Sequence, residues 1–318
     1  MRTQHLKNEL SILLAALFLA GSPPARCAMA SVEPQPDTER AFEKYVQAVE
    51  GHMQADCKPK GAFLWIDRPS DEDARFRANE QLQSGQVLAQ CVAGCDSSGV
   101  PIPGGLIHDW VGVVFIPGVS LPEALSLVQD YGRAQNYYRP DVTRSKLLSR
   151  SGNSFQVFLQ LKQTDVLTVV FNTEYRIHYT LVSPSRACSI SHSIRIAEVE
   201  NAGGAQEREK SPHDNSGFLW RLDSYWRFEE ADGGVYIQCR AISLTRDIPR
   251  GLNWVVAPFI KDIPGKSLRF TLGATREALL RKFPAARSGE HNGKTRKEKT
   301  NGSEPISATS GKSRHRQL

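Results

Sequence analysis

Three polar side chains in this 318-residue chain stand where chemistry could be done: His108, His192 and Arg240. His108 opens the run "HDW" (His108–Trp110). Neighbours on a strand point to opposite faces, so Asp109 cannot orient His108, whereas Trp110 shares its face. If that face lines a pocket, His108 can donate a hydrogen bond or act as a base. Otherwise it is a strand-end histidine bonded to backbone or water. His192 alternates with Ile190 and Ile194 on what reads as a dry face. A polar group buried there without a partner costs about 1–3 kcal/mol, so it is either a satisfied core histidine or a polar anchor for a ligand. Arg240 shares a face with Tyr236, Gln238, Ile242 and Leu244, with Cys239 and Ala241 opposite. Facing a helix, it would bind a carboxylate or phosphate; if Cys239 and Ala241 face inward instead, it lies on the surface. Tyr175, Ile177, Tyr179, Trp220 and Trp226 are candidate pocket walls, and equally suit an ordinary core. No nucleophile elbow, zinc-protease, phosphate-loop or dinucleotide motif occurs. No catalytic residue, metal or cofactor is therefore assigned.

The elements that would position these residues follow from periodicity. Phe42, Tyr45, Val46 and Val49 predict an amphipathic helix over 38–54. "AFLWID" (Ala62–Asp67) and "QVLAQCV" (Gln86–Val92) read as short strands, and "SDEDARFRANEQLQSG" as a capped start that loses its apolar period. From Leu106 the chain turns to strands: "LIHDWVGVVFIPG", a short helix over Ser120–Tyr131, then a meander of about six. Leu167 to Leu181 alternates strictly, with Tyr175, Ile177 and Tyr179 on the dry face and His178 on the wet one. The last ordered stretch, Arg250–Phe283, is a helix that Pro258 and Pro264-Gly265 should kink or split. Its stripe runs Leu252, Val255, Val256, Phe259, Ile263, then Leu268, Leu272, Thr275, Leu279 and Phe283. Such a stripe must bury against the concave face of the meander. A twisted sheet wrapped round a helix does not close fully, so a hydrophobic cavity is expected there. Val255, Phe259 and Leu272 would line it.

Charge and composition bound the remaining choices. The chain carries a formal +6, of which residues 1–30 hold +2 and residues 285–318 hold +5, leaving −1 for the body between. A basic nucleic-acid face is not indicated. A basic start, the apolar run Ser11–Gly21 and "AMA" (Ala28–Ala30) read as a secretory leader cleaved after Ala30, and no later run is long enough to span a bilayer. The product would be secreted or periplasmic. It would keep Cys57, Cys91, Cys95, Cys188 and Cys239; Cys91 and Cys95 flank "CVAGC" and can close a small disulfide loop. "GCDSSGVPIPGG" is the expected internal boundary, and 285–318 is a polar basic tail that cannot bury enough surface to order. The expected organisation is 1–30 leader, 31–100 extension, 101–284 core and 285–318 tail.

With these elements in place, "GGLIHDWVGVVFIPG", "NYYRPDVTRSKLL", "SIRIAEVEN" and "CRAISLTRDIPRGLNWVVAPFI" together resemble the START-like (polyketide cyclase, Bet v 1-like helix-grip) superfamily, in an exported bacterial branch. The likeness covers about residues 101–284. It implies an α+β helix-grip fold with a pocket between helix and sheet for a lipid or other hydrophobic small molecule. Most members of that superfamily bind or transfer; a minority are cyclases or aromatases, which here would use His108 or His192. A monomeric binding protein is the expectation; an enzyme and a structural or interaction module are the alternatives.

Overall fold

The computed structural model describes residues 33–56, 62–68, 71–95, 99–164, 168–247 and 253–284, without the side chains of 54–56 and 253–262. Residues 1–32, where the leader is expected, Cys57, residues 285–318 and the side chains of Val255 and Phe259 lie outside the described residues.

Ten antiparallel strands form one sheet: β1 (Leu88–Ala93), β2 (Val100–Ile102), β3 (Gly105–Pro117), β4 (Val142–Ser151), β5 (Ser154–Thr164), β6 (Thr168–Ser183), β7 (Arg186–Glu200), β8 (Arg208–Glu209), β9 (Arg221–Ala231) and β10 (Gly234–Arg246). Their order is β1-β3-β10-β9-β7-β6-β5-β4, with β2 beside β3 and β8 beside β7. Between them lie α1 (Pro36–Asp56), α2 (Glu72–Gln83), α3 (Leu121–Val128) and α4 (Ala134–Tyr137); α5 (Asn253–Lys282) closes the chain. Ser120 and Glu123 start α3 with a capping box, Glu123 Oε2 accepting from the Ser120 amide at 2.8 Å.

The sheet curls, and α5 lies across its inner face. Leu268, Leu272, Ala278 and Leu279 of α5 are buried against Val114, Ile116, Val157, Ile177, Phe228 and Ile237. Each of these leucines contributes about 1.5–3 kcal/mol by leaving water. Two glycines set how closely the helix seats. A Cβ on Gly265 would stand 2.5 Å from the Trp110 ring, and one on Gly112 would stand 2.8 Å from Leu272. α5 runs without interruption through Pro258 and Pro264.

The outer face of the sheet is covered too. Phe42, Val46 and Val49 of α1 pack on Ile107, Tyr225, Ile242 and Leu244. Phe63, Leu64, Ile66 and Leu82 pack on Val113, Phe115 and Tyr236. Several sequence expectations are corrected here. "AFLWID" is not a strand; it holds a 3-10 turn (Trp65–Asp67) whose Asp67 side chain accepts from the Leu64 amide. The stretch without an apolar period is the helix α2, capped by Asp71. The loop at 94–105 does not separate an extension from a core, because β1 on one side of it is paired with β3 on the other. β4 was missed, its polar residues giving no alternation.

Candidate ligand-binding hollow

Cross-strand register defines what lies on the inner face. One row runs Trp110, Ala241, Ser224, Ser191, Ile177 across β3, β10, β9, β7 and β6. The next runs Gly112, Cys239, Trp226, Ser189, Tyr179. A third, Val114, Ile237, Phe228, Ala187, is wholly buried beneath α5 and α3. The middle of the first two rows is built of small residues, Ala241, Ser224 and Ser191 in one and Cys239 and Ser189 in the other. Trp110, Leu159, Leu222, Ser224, Trp226 and Ala241 are only half-buried, whereas Phe155, Tyr179, Phe228 and Ile116 at the other end are buried completely. Among the described residues, the inner face is thus fully buried at one end and only partly buried at the other. Ser267 of α5 bonds Gln163 at the end of β5 at 2.9 Å, so the helix bridges the curled sheet over this region.

The polar groups of this face are hydroxyls. Tyr131 and Tyr179 share a 2.7 Å hydrogen bond, Tyr138 and Thr275 one of 3.1 Å. Ser189 Oγ is buried and makes no hydrogen bond of good geometry. Burial raises the Tyr131, Tyr175 and Tyr179 phenols and the Cys239 thiol well above their ordinary values, and pushes Tyr138 up to about 12. His108 is also on this face, at the far end of β3. Its Nε2 lies 3.0 Å from Thr245 Oγ1, and burial lowers its pKa to about 4, so it is neutral.

Of the residues that the sequence marks as pocket candidates, Trp110, Tyr175, Ile177, Tyr179, Trp226 and Leu272 share the inner face with His108. His192, Trp220 and Arg240 do not, and are corrected. Trp220 precedes β9 and packs in the α1 cluster. Arg240 neither faces α5 nor lies free on the surface. It donates to Asp109, Nε to Oδ1 at 2.8 Å and Nη2 to Oδ2 at 2.6 Å, and Tyr45 of α1 donates to the same carboxylate at 2.7 Å. Asp109 is fully buried, so the ion pair supplies what an enclosed charge requires. His192 projects outward with Ile190, because the serines of β7 turn inward. Its Nδ1 lies 3.1 Å from Asp223 and its Nε2 3.2 Å from Glu50 of α1. The hydrogen bond to Asp223, with the Glu50 and Asp223 charges, raises its pKa against the effect of burial.

Sequence reasoning missed Ser189, Ser191, Tyr131 and Tyr138. The alternation "SISHS" was itself the signal, with isoleucine taken as the inward side. The Cys91–Cys95 disulfide is present, with 5.7 Å between Cα atoms. Elsewhere, a shallow depression of about 400 Å³ lies at the β9–β10 turn beside Gly118–Ser120. Among the described residues, no group of three His, Cys, Asp or Glu side chains is placed to hold a metal, and no helix is long and apolar enough to cross a membrane.

No family model matches this sequence, and no curated relative does. Among solved structures the chain is similar to a STAR-related lipid transfer protein from Xanthomonas axonopodis (14% identity, 60% of this chain and 98% of that one, TM-score 0.39). It is also similar to a START superfamily protein from Mycobacterium smegmatis (14%, 55% and 99%, TM-score 0.38). A third is the Zhui aromatase/cyclase from a Streptomyces species (11%, 55% and 95%, TM-score 0.38). The chain's own topology is α+β, an antiparallel sheet curled around its C-terminal helix.

Proposed function

We propose that this chain is an exported, monomeric binding protein that holds a hydrophobic small molecule or lipid between the sheet and α5. The observation that carries this reading is the half-buried apolar belt of Trp110, Leu159, Leu222 and Trp226, on a face otherwise buried under α5. Large apolar side chains left half-wet beside small ones suit a concave ligand site better than a finished core. The similar solved structures include a lipid transfer protein and an aromatase/cyclase, so the choice between binding and catalysis rests on this chain's own residues. His192 faces away from the hollow, and burial makes the His108 imidazole, bonded to Thr245, a weak base. Export is supported by the leader-like pattern of residues 1–30 and by the Cys91–Cys95 disulfide.

The test is native mass spectrometry of protein recovered from its own host, followed by solvent extraction. A monomer carrying one extractable hydrophobic molecule, lost in Trp226→Ala, is expected, with a mature N-terminus at Ser31. A protein of bare mass that binds none of a broad hydrophobic panel would refute the binding reading.

A further inference from the structure

We infer that the molecule held in the hollow is uncharged, with a hydroxyl or carbonyl that bonds the Ser189 hydroxyl, and is not a carboxylate or phosphate amphiphile. This deepens the proposed function and rests on it. Among the described side chains, the sheet's inner face offers no counter-charge between its margins. Arg240, the cation that alternation could have placed there, is on the other side of the sheet and already neutralised by Asp109. Among the described residues, the ionised side chains that register assigns to the inner face stand at its margins. Glu230 accepts from the Leu121 amide at 2.7 Å, Glu198 is paired with Lys210, and Arg150 is exposed on the β4 edge over the Phe155 ring. Between those margins the polar atoms are hydroxyls, a thiol and neutral His108.

An anion entering this space would lose its water and meet no cation among the described inner-face side chains of the sheet. A neutral ligand avoids that cost and still needs one polar partner. Ser189 supplies it. Ser189 is 97% buried and sits beside Trp226 and Tyr179 on the small-residue floor; its hydroxyl makes no hydrogen bond of good geometry, the Tyr179 hydroxyl being its polar neighbour. A buried hydroxyl without a partner is an unusual cost for a folded chain to carry, and a ligand hydroxyl or carbonyl would relieve it. The neighbouring Tyr131 and Tyr179 hydroxyls bond each other, which leaves Ser189 as the hydroxyl of this cluster without a bond of good geometry.

The test uses a matched set of ten-carbon probes, decanol, decanoate and decane, competing with a neutral fluorescent reporter on the full chain at pH 8. Decanol is expected to bind at least about 30-fold more tightly than decanoate. Ser189→Ala is expected to weaken decanol about fivefold, the worth of one neutral hydrogen bond, and to leave decane unchanged. Thermal melting in parallel shows whether the variant is folded. Decanoate binding as tightly as decanol at pH 8, or Ser189→Ala weakening decane as much as decanol, would overturn the inference and leave the container reading intact. Failure of all three probes to bind would overturn both.

Discussion

The two faces of β3, β10 and β9 are both buried, yet they are built on opposite electrostatic plans. The inner face meets α5 with apolar side chains and hydroxyls, and burial keeps its titratable groups neutral: His108 is held at about 4 and the Tyr175 and Tyr179 phenols are raised. The outer face meets α1 with charges set in pairs, Asp109 with Arg240 and His192 with Glu50 and Asp223. Asp109, Arg221, Asp223, Glu229 and Arg240 on the outer face each have a charged or titratable partner on another element. On the inner face the described charges stand only at the margins. A permanent contact between two elements can use ion pairs, because both partners are always present. A space that fills and empties cannot, because a charge there would be left alone whenever its partner departed.

The comparison is broken most severely at its charged side. Asp109→Ala leaves the Arg240 guanidinium in a largely buried site without its carboxylate, and is expected to cost about 3–5 kcal/mol in urea unfolding. A loss below about 1 kcal/mol would show that the outer pair does not hold α1 in place. On the inner face, Leu272→Ala at a fully buried position is expected to cost about 2–5 kcal/mol. Trp226→Ala, on the same face but half-buried, should cost less stability and more ligand binding. The reverse order would remove the division between the fully and partly buried ends.

The two histidines give opposite pH slopes. The folded-state pKa of His108 lies below its unfolded value of 6.5, so the unfolded chain takes up the proton first as the pH falls. Its contribution is present above pH 6.5 and lost towards pH 4, about 2 kcal/mol between pH 7.5 and 5. Denaturant midpoints across that range should lose this slope in His108→Asn. The His192 pKa is raised, so its contribution is present below pH 6.5 and fades as pH climbs through the folded value. Its side chain is partly exposed to solvent, which screens the effect and makes this the smallest of the expected changes. His192→Asn should destabilise the fold more at pH 6 than at pH 8.5. Equal effects at both would mean that the bridge from Glu50 to Asp223 contributes nothing.

Strict alternation made β6, β9 and β10 legible in the sequence, and the stripe Leu268, Leu272, Leu279 made α5 legible. Which side of each strand faces the helix was not legible, because wet and dry sides exist only where one face meets water. On β10, Tyr236, Ile242 and Leu244 are buried outward and Val235, Ile237 and Cys239 inward. Alternation there separates two interiors. On β7 the isoleucines pointed to the wrong side for a related reason: Ile190 packs beside α1, while Ser189 and Ser191 turn inward. A bulge between Glu174 and Tyr175 shifts the pairing of β6 with β7 as well. α2 escaped because Leu82 is its buried apolar residue and Phe76 is 64% exposed. The Asp109–Arg240–Tyr45 cluster joins residues 64 and 131 positions apart, a proximity that spacing along a single chain does not reveal.

The most direct test of the inner hollow is tryptophan quenching by a brominated long-chain alcohol, which quenches only rings it touches. Trp110 and Trp226 line the inner face, and Trp220 lies in the outer cluster. Trp226→Phe and Trp110→Phe are each expected to remove a large share of the quenchable emission, and Trp220→Phe to leave it unchanged. Quenching that disappears with Trp220 and survives the loss of both inner rings would place the ligand on the wrong side of the sheet and contradict the account.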